Sequence, residues 1–225
     1  VITVYSAPDP ITINTNSDDV VDSTSLTPAL AGGILVDFKI RFNGGPIDNN
    51  DFLGLWFGYD TTPNSGDQNI SAPHTSGPNI GLKGNCGDGT CPSGSTPAGA
   101  DLFVRTTGTD GSFFGPLSVG VDYHVFGYLY KVSGSSTYNR FDAWLDPALN
   151  EMTNLTNFDA RYTGNSGLSA INKFGFRSAN LDAGSPGDSI TISDLRIQAI
   201  PEPGSLALFG VALLGLAGIR RRSAA

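Results

Sequence analysis

Alternating apolar and polar residues recur along most of the chain with the two-residue period of β-strands. The clearest case is Ile34–Phe42, where every second residue is apolar and Asp37, Lys39 and Arg41 lie between them. Such a strand buries one face and leaves the other in water. Similar segments predict further strands at Val1–Tyr5, Ile11–Ile13, Phe52–Tyr59, Ile80–Lys83, Leu102–Thr106, Val119–Lys131, Tyr138–Leu145, Ile171–Arg177 and Ile190–Ala199.

The segments between these strands are polar and predict loops. Asn14–Thr27 and Thr61–Pro78 show no apolar period, and Asn150–Leu168 is irregular with room for one helical turn. The 29 glycines and 14 prolines favour short strands joined by turns over helices. The pattern predicts an all-β fold: one antiparallel β-sandwich of about ten strands over residues 1–200.

Charge limits the partners of this domain. Residues 1–200 carry ten Lys and Arg against twenty Asp and Glu, a net charge of about −10. An acidic surface repels nucleic acid and anionic lipid, so we expect no nucleic-acid partner, and it attracts divalent cations.

The residues needed for catalysis are sparse. Glu151 is the one glutamate of residues 1–200, and the two histidines, His74 and His124, lie fifty positions apart. Asp142 and Asp146 flank Trp144, but an Asp before a proline is typical of a turn. Without a close carboxylate pair or a nucleophile–histidine pair, the sequence predicts a protein that is not an enzyme, with no catalytic residues.

Calcium is the one cofactor that the sequence suggests, and no other is expected. Asp48, Asn50 and Asp51 place several oxygen donors in one turn, and Asp182–Asp188 forms a second acidic turn. The same residues are good turn formers without any metal, so both interpretations stay open. Trp56 and Trp144 lie among apolar neighbours, which favours core packing over stacking on a sugar.

The last 25 residues form a separate segment. Residues 206–219 carry no charge and precede the cluster Arg220, Arg221, Arg222. A helix of this length spans about 21 Å, and arginines that extend to the interface make up the difference from the ~30 Å hydrocarbon core. The pattern predicts one transmembrane helix over residues 205–222, with the arginines cytoplasmic and residues 1–200 periplasmic. The predicted anchor comprises Leu206, Phe209, Gly210, Leu213, Leu214, Gly215, Gly218 and the three arginines.

This tail resembles the PEP-CTERM sorting signal of exosortase substrates. Pro201, Glu202 and Pro203, within a linker of residues 201–204, precede the apolar helix and the basic end in the order that the signal requires. The resemblance implies export, removal of an N-terminal leader, and processing by an exosortase near Pro201, so that the protein stays in the inner membrane or reaches the cell surface after cleavage. In an exported protein, Cys86 and Cys91 are expected to form a disulfide.

The strands resemble those of LamG and concanavalin-A-like jelly rolls. The similar segments are Val36–Ile40, Val121–Tyr128, Phe141–Pro147 and Ile192–Ile197. This resemblance implies a β-sandwich that binds carbohydrate or protein, often with calcium.

Three functions remain open from the sequence. The leading hypothesis is a non-enzymatic, membrane-anchored β-sandwich for structural or adhesive interactions outside the cytoplasm. The second is an accessory subunit of a large inner-membrane complex, such as a respiratory or light-harvesting assembly, whose uncleaved helix packs through Gly210, Gly215 and Gly218. The third is a calcium-dependent carbohydrate-binding module.

Overall fold

A computed structural model describes residues 1–14, 17–45, 51–59, 77–84, 100–107, 111–181 and 187–201, with the backbone alone for residues 17–24. These ranges form thirteen strands and one short helix. The strands are β1 (Ile2–Ser6), β2 (Ile11–Ile13), β3 (Ser17–Leu30), β4 (Gly33–Asn43), β5 (Phe52–Gly58), β6 (Asn79–Gly84), β7 (Ala100–Arg105), β8 (Ser112–Leu117), β9 (Tyr123–Tyr130), β10 (Arg140–Leu145), β11 (Ala160–Thr163), β12 (Ile171–Ala179) and β13 (Ser189–Ile200); the helix α1 is Leu149–Asn154.

The strands form two antiparallel sheets that pack face to face. The first sheet has the order β1-β13-β4-β9-β10-β11, with β2 also paired to β13, and the second has the order β3-β12-β5-β6-β7-β8. Apolar side chains from both sheets share one core, in which Phe38 of β4, Phe57 of β5 and Phe174 of β12 are at most 2% exposed. The β-sandwich that the sequence predicts is therefore confirmed.

Buried apolar and outward-facing polar residues alternate along β4 as the sequence predicts for Ile34–Phe42. Ile34, Val36, Phe38, Ile40 and Phe42 are each at most 2% exposed, whereas the intervening Asp37, Lys39 and Arg41 lie on the outward face. Because successive side chains of a strand point to opposite faces, this register fixes which face of the first sheet meets the core.

Three strands were not predicted, and each is short of apolar residues or carries a strand breaker. β3 crosses the segment Asn14–Thr27, which the sequence predicts as a loop, so that prediction was wrong. β8 contains Gly115 and Pro116, and β11 lies within the polar segment Asn150–Leu168. All three lie at the ends of their sheets, where a strand needs only one backbone partner and tolerates polar side chains and proline.

The short helix α1 covers part of the outward face of the first sheet. Met152 and Leu155 pack against the cluster formed by Leu35, Phe126 and Trp144, and the Trp144 indole N–H donates to the Thr156 carbonyl at 2.7 Å. Trp144 and Trp56 are both 0% exposed, which confirms that the two tryptophans are packing residues. The helical turn predicted within Asn150–Leu168 is also confirmed.

Among the described residues, no helix has the length and apolar character needed to cross a bilayer. The predicted transmembrane helix over residues 205–222 lies outside the described part of the chain, as do the arginine cluster and Glu202–Pro203.

Candidate functional site

Four cations lie on the outward face of the second sheet, which we call the cation face. Lys83, Arg105, Lys173 and Arg177 alternate along β6, β7 and β12 with the residues that face the core. They are four of the ten Lys and Arg of residues 1–200, in a domain that carries twice as many acidic residues. This concentration of positive charge sets the face apart from the acidic remainder of the domain.

The register of the second sheet brings these cations into adjacent rows. The rows across the face are Arg177–Gly54–Gly81–Phe103, Gly175–Trp56–Asn79–Arg105, and Ala179–Phe52–Lys83–Asp101. Directly paired residues in an antiparallel sheet share a face, so these side chains are neighbours although they come from four strands. Among the described residues of these rows, Asp101 is the one carboxylate, and it lies opposite Lys83.

Glycines at the centre of the face let neighbouring groups pack close to the backbone. An added Cβ at Gly54 would lie 2.8 Å from Asn79 Oδ1 and 2.8 Å from Phe52 Cζ, so both neighbouring side chains lie across that position. At Gly81 it would collide with the Leu53 carbonyl oxygen, a backbone atom that cannot move aside. The centre of the face therefore accepts no larger residue without displacing its neighbours.

Two arginines approach the same aromatic ring. The Arg105 guanidinium carbon lies 5.9 Å from the centroid of the Phe52 ring, and that of Arg177 lies 5.3 Å from it. Arg105 also lies 5.6 Å from the Phe103 ring. Cation–π contacts of this kind hold guanidinium groups in fixed planes, which suits them to planar carboxylates.

Burial, and next the charge of Arg177, lower the pKa of Arg105 from 12.5 to about 10. The positive charge of Arg105 is thus held at a cost in free energy, since burial and a like charge both disfavour the ionised form. The cation face therefore includes a guanidinium that is buried and lies close to a second cation, Arg177.

The predicted calcium residues are described only in part. Asp51 is buried before β5, whereas Asp48 and Asn50 lie outside the described residues. Asp188, at the end of the second acidic turn, accepts a hydrogen bond from the Gly45 N–H at 2.8 Å. Gly45 and Asp188, which border the two acidic turns in the sequence, are therefore neighbours. Calcium remains a prediction; within the described ranges no group of three or more His, Cys, Asp or Glu is arranged to hold a metal ion.

The other candidate residues are held apart. Asp142 is bound to Arg161, while Asp146 accepts a hydrogen bond from the His124 backbone N–H at 2.8 Å, as expected for a turn residue. The His124 ring contacts Asp37 on the first sheet at 2.7 Å. Asp142 and Asp146 thus have separate partners. His74 and the predicted Cys86–Cys91 disulfide lie outside the described residues.

The cation face was missed at the sequence level, although the sequence contains a signal for it. The sequence predicts Phe52–Tyr59 as an almost continuous apolar run, but Gly54 and Gly58 lie four positions apart in it and so fall on one face of the strand. Lys173, Gly175 and Arg177 alternate along β12 with a period of two. Glycines and cations at alternate positions of otherwise apolar strands indicate a second, non-core face.

Comparison with known proteins identifies the tail. The PEP-CTERM protein-sorting motif matches residues 199–222, of which Ala199, Ile200 and Pro201 are described. No curated protein sequence is significantly similar to the chain. The predicted sorting signal is therefore confirmed.

Several solved structures are similar to the chain at low identity. A mutant of alginate lyase Aly36B in complex with alginate trisaccharide has a TM-score of 0.48 at 13% identity, covering 85% of this chain and 81% of that chain. The metal-free carbohydrate recognition domain of Emp46p has a TM-score of 0.46 at 12% identity, and the match covers 80% of this chain and 78% of that chain. Alginate lyase vAL-1 from Chlorella virus has a TM-score of 0.44 at 7% identity, and the match covers 85% of this chain and 84% of that chain. Likeness at this level identifies neither ligand nor activity.

Fold and motif together define the class of protein. The chain is an all-β protein whose two antiparallel sheets form a sandwich of the kind that the LamG-like resemblance implies. It carries a PEP-CTERM sorting signal, which marks it for export to the cell envelope and for exosortase processing.

Proposed function

We propose that this protein is a non-enzymatic module of the cell envelope that binds an acidic polysaccharide on its cation face. The observation that carries the proposal is the gathering of four cations on one sheet face of an acidic domain: Lys83 and Arg177 are part-exposed, and Arg105 and Lys173 are 7% and 8% exposed. Guanidinium groups bind carboxylates in a bidentate manner. A uronic-acid polymer offers one carboxylate in each repeating unit.

The described residues of this face support binding without hydrolysis. Its rows contain cations, aromatic rings, glycines and Asn79, and their one carboxylate, Asp101, is 1% exposed. Cleavage of a glycosidic bond by hydrolysis requires two carboxyl groups flanking that bond. We therefore expect the module to hold a polysaccharide without hydrolysing it, and the length of the polymer after incubation also tests for cleavage by elimination.

A pair of double variants with equal charge tests the binding site. Lys83→Gln with Arg177→Gln removes two cations from the cation face, and Lys39→Gln with Arg196→Gln removes the same two residue types from the first sheet. We expect wild-type protein to be retarded in gels containing polygalacturonate, and not in gels containing dextran. The first variant should lose most of the retardation and the control should keep it.

An equal loss of retardation in both double variants would mean that net charge alone causes the retardation, which would refute the cation face as the binding site. If polygalacturonate does not retard the wild type, the proposed ligand is refuted. Shortening of the polygalacturonate during incubation, measured by size-exclusion chromatography, would refute the non-enzymatic assignment.

We further propose that residues 205–222 anchor the module as one transmembrane helix until exosortase cleavage. The sorting motif and the uncharged run before Arg220 support this proposal. The intact mass of the protein from native membranes tests it. A mass that ends near residue 200 in the surface fraction indicates cleavage and release. A mass that retains Arg222 indicates a permanent anchor and favours the accessory-subunit alternative.

A further inference from the structure

A groove on the outward face of the first sheet lies beside the first residues of the sorting motif. We call it the tyrosine groove and define it by Gly33, Tyr128, Tyr130, Lys131 and Pro201, which line it together with the turn of residues 132–135. Its volume is about 560 Å³, within the ~300–1,000 Å³ range of small-molecule sites. It lies on the sheet opposite to the cation face.

The groove is built around a stacked pair of aromatic rings. Tyr128 and Tyr130 are two positions apart in β9 and share one face, with ring centroids 4.4 Å apart and an interplanar angle of 12°. Both are half-buried. An added Cβ at Gly33 would lie 2.8 Å from Tyr128 Cε2, so the Tyr128 ring lies directly over the Gly33 backbone. The absence of a side chain at residue 33 therefore positions the stack.

Hydrogen bonds fix the side chains and the turn that line the groove. The Tyr130 hydroxyl donates to Asp142 Oδ2 at 3.1 Å, and Asp142 is bound by Arg161. In the turn beside the rings, the Ser135 N–H donates to the Val132 carbonyl at 2.9 Å. A groove fixed in this way requires little ordering when a ligand binds.

The charge of the groove differs from that of the cation face. Burial, and next the charge of Asp142, raise the pKa of Tyr128 and of Tyr130, so both phenols stay neutral at physiological pH. The Asp142 carboxylate beneath them is matched by Arg161. Lys131 contributes a single cation, whose ammonium lies 5.2 Å from the Tyr138 ring. Nothing in this arrangement selects for a polyanion.

We propose that the tyrosine groove is a second binding site, for an uncharged hexopyranose ring. One face of such a sugar exposes axial C–H groups that pack on an aromatic ring, and its hydroxyls suit the polar backbone of the neighbouring turn. Rigid tyrosines provide this mixed contact at low entropic cost. The site is separate from the cation face in sheet, charge and residues.

The position of the groove allows two sources of that sugar. Pro201 borders it and begins the Pro-Glu-Pro segment of the sorting motif. A neutral polysaccharide in solution and the sugar headgroup of a glycolipid present the same ring chemistry there.

The test uses the full chain in lipid nanodiscs, titrated with a linear oligoglucan by isothermal calorimetry. We expect Tyr130→Ala and Gly33→Ala each to weaken binding about tenfold, the first by removing a ring and the second by displacing the Tyr128 ring. Tyr130→Phe keeps the ring but loses the hydrogen bond to Asp142, so it should bind more weakly than the wild type and more tightly than Tyr130→Ala. Tyr59→Ala, which removes an exposed tyrosine at the end of β5, should change nothing.

A second arm replaces part of the nanodisc lipid with glucosyl diacylglycerol. If the wild type binds oligoglucan more weakly in that arm than in glycolipid-free discs, and Gly33→Ala shows no such difference, the site belongs to a lipid headgroup. Unchanged wild-type binding assigns it to a soluble glycan. The proposal is overturned if no oligoglucan binds in either arm, or if Tyr130→Ala and Gly33→Ala bind as tightly as the wild type. Gly33→Ala keeps the test decisive if Tyr130→Ala does not fold.

Discussion

The ion pair between Arg161 and Asp142 gives a sharp prediction about stability. The Asp142 side chain is 3% exposed and that of Arg161 is 31% exposed. Arg161 Nε donates to Asp142 Oδ1 at 2.5 Å and Nη2 donates to Oδ2 at 2.6 Å, so the contact is bidentate. Arg161→Met would keep the aliphatic contacts and leave the carboxylate buried, held only by the Tyr130 hydroxyl.

The size of the effect follows from this geometry. Removing one partner of a fully buried pair costs about 3–5 kcal/mol. Because Arg161 is about a third exposed, water reaches part of the pair, and we expect Arg161→Met to cost ~2–3 kcal/mol. The control is Arg41→Met. Arg41 and Asp122 form a pair at 3.3 Å with side chains 41% and 64% exposed, so the control should cost less than ~1 kcal/mol.

Urea unfolding followed by tryptophan fluorescence measures both costs. We expect Arg161→Met to lower the midpoint with an unchanged m-value, and the double variant with Asp142→Asn to recover part of the loss, since no charge is then left buried. Equal costs for Arg161→Met and Arg41→Met would refute the reasoning. So would a double variant that is less stable than Arg161→Met alone.

Three further predictions concern ionisation, calcium and cysteine. Burial raises the pKa of Asp159 above 3.8, so its contribution to stability is present below that pH and is lost as pH rises through the folded-state pKa. Asp159→Asn keeps an acceptor for the Leu145 N–H, and its stability relative to the wild type should rise as pH increases from below 3.8 through the raised folded-state pKa; a difference that does not change with pH would contradict this. Calcium should raise the unfolding temperature of the wild type and not of Asp51→Asn, and no shift in the wild type would contradict the predicted site. Alkylation without reductant should leave the mass of the Cys86–Cys91 segment unchanged, whereas two added alkyl groups would rule out the disulfide.

The fold class could be predicted because the core strands obey one simple rule. In β4 every second residue is apolar and buried. A strand with one buried face cannot shift its register by one residue without exposing these apolar side chains to water. Strands with fewer apolar residues were not predicted from the sequence. β3 contains Ser, Asp and Thr over much of its length, and its place in the sheet depends on backbone pairing with β12, which the side-chain pattern does not record.

The cation face shows a different limit. Each of its strands was predicted, but Lys83, Arg105 and Arg177 come from positions as much as 94 residues apart. Only the pairing of β12 with β5, of β5 with β6 and of β6 with β7 makes them neighbours. The tyrosine groove is similar, since the contact between Gly33 and Tyr128 depends on the pairing of β4 with β9. The sorting motif was predictable because it is local.

The most direct test of the proposed function is a hydrogen-exchange footprint of the full chain with and without polygalacturonate. The proposal predicts slower exchange in β5, β6, β7 and β12, the strands that carry the cation face, and unchanged exchange in β9 and β10. Protection confined to β9 and β10, or no protection at saturating polygalacturonate, would contradict it.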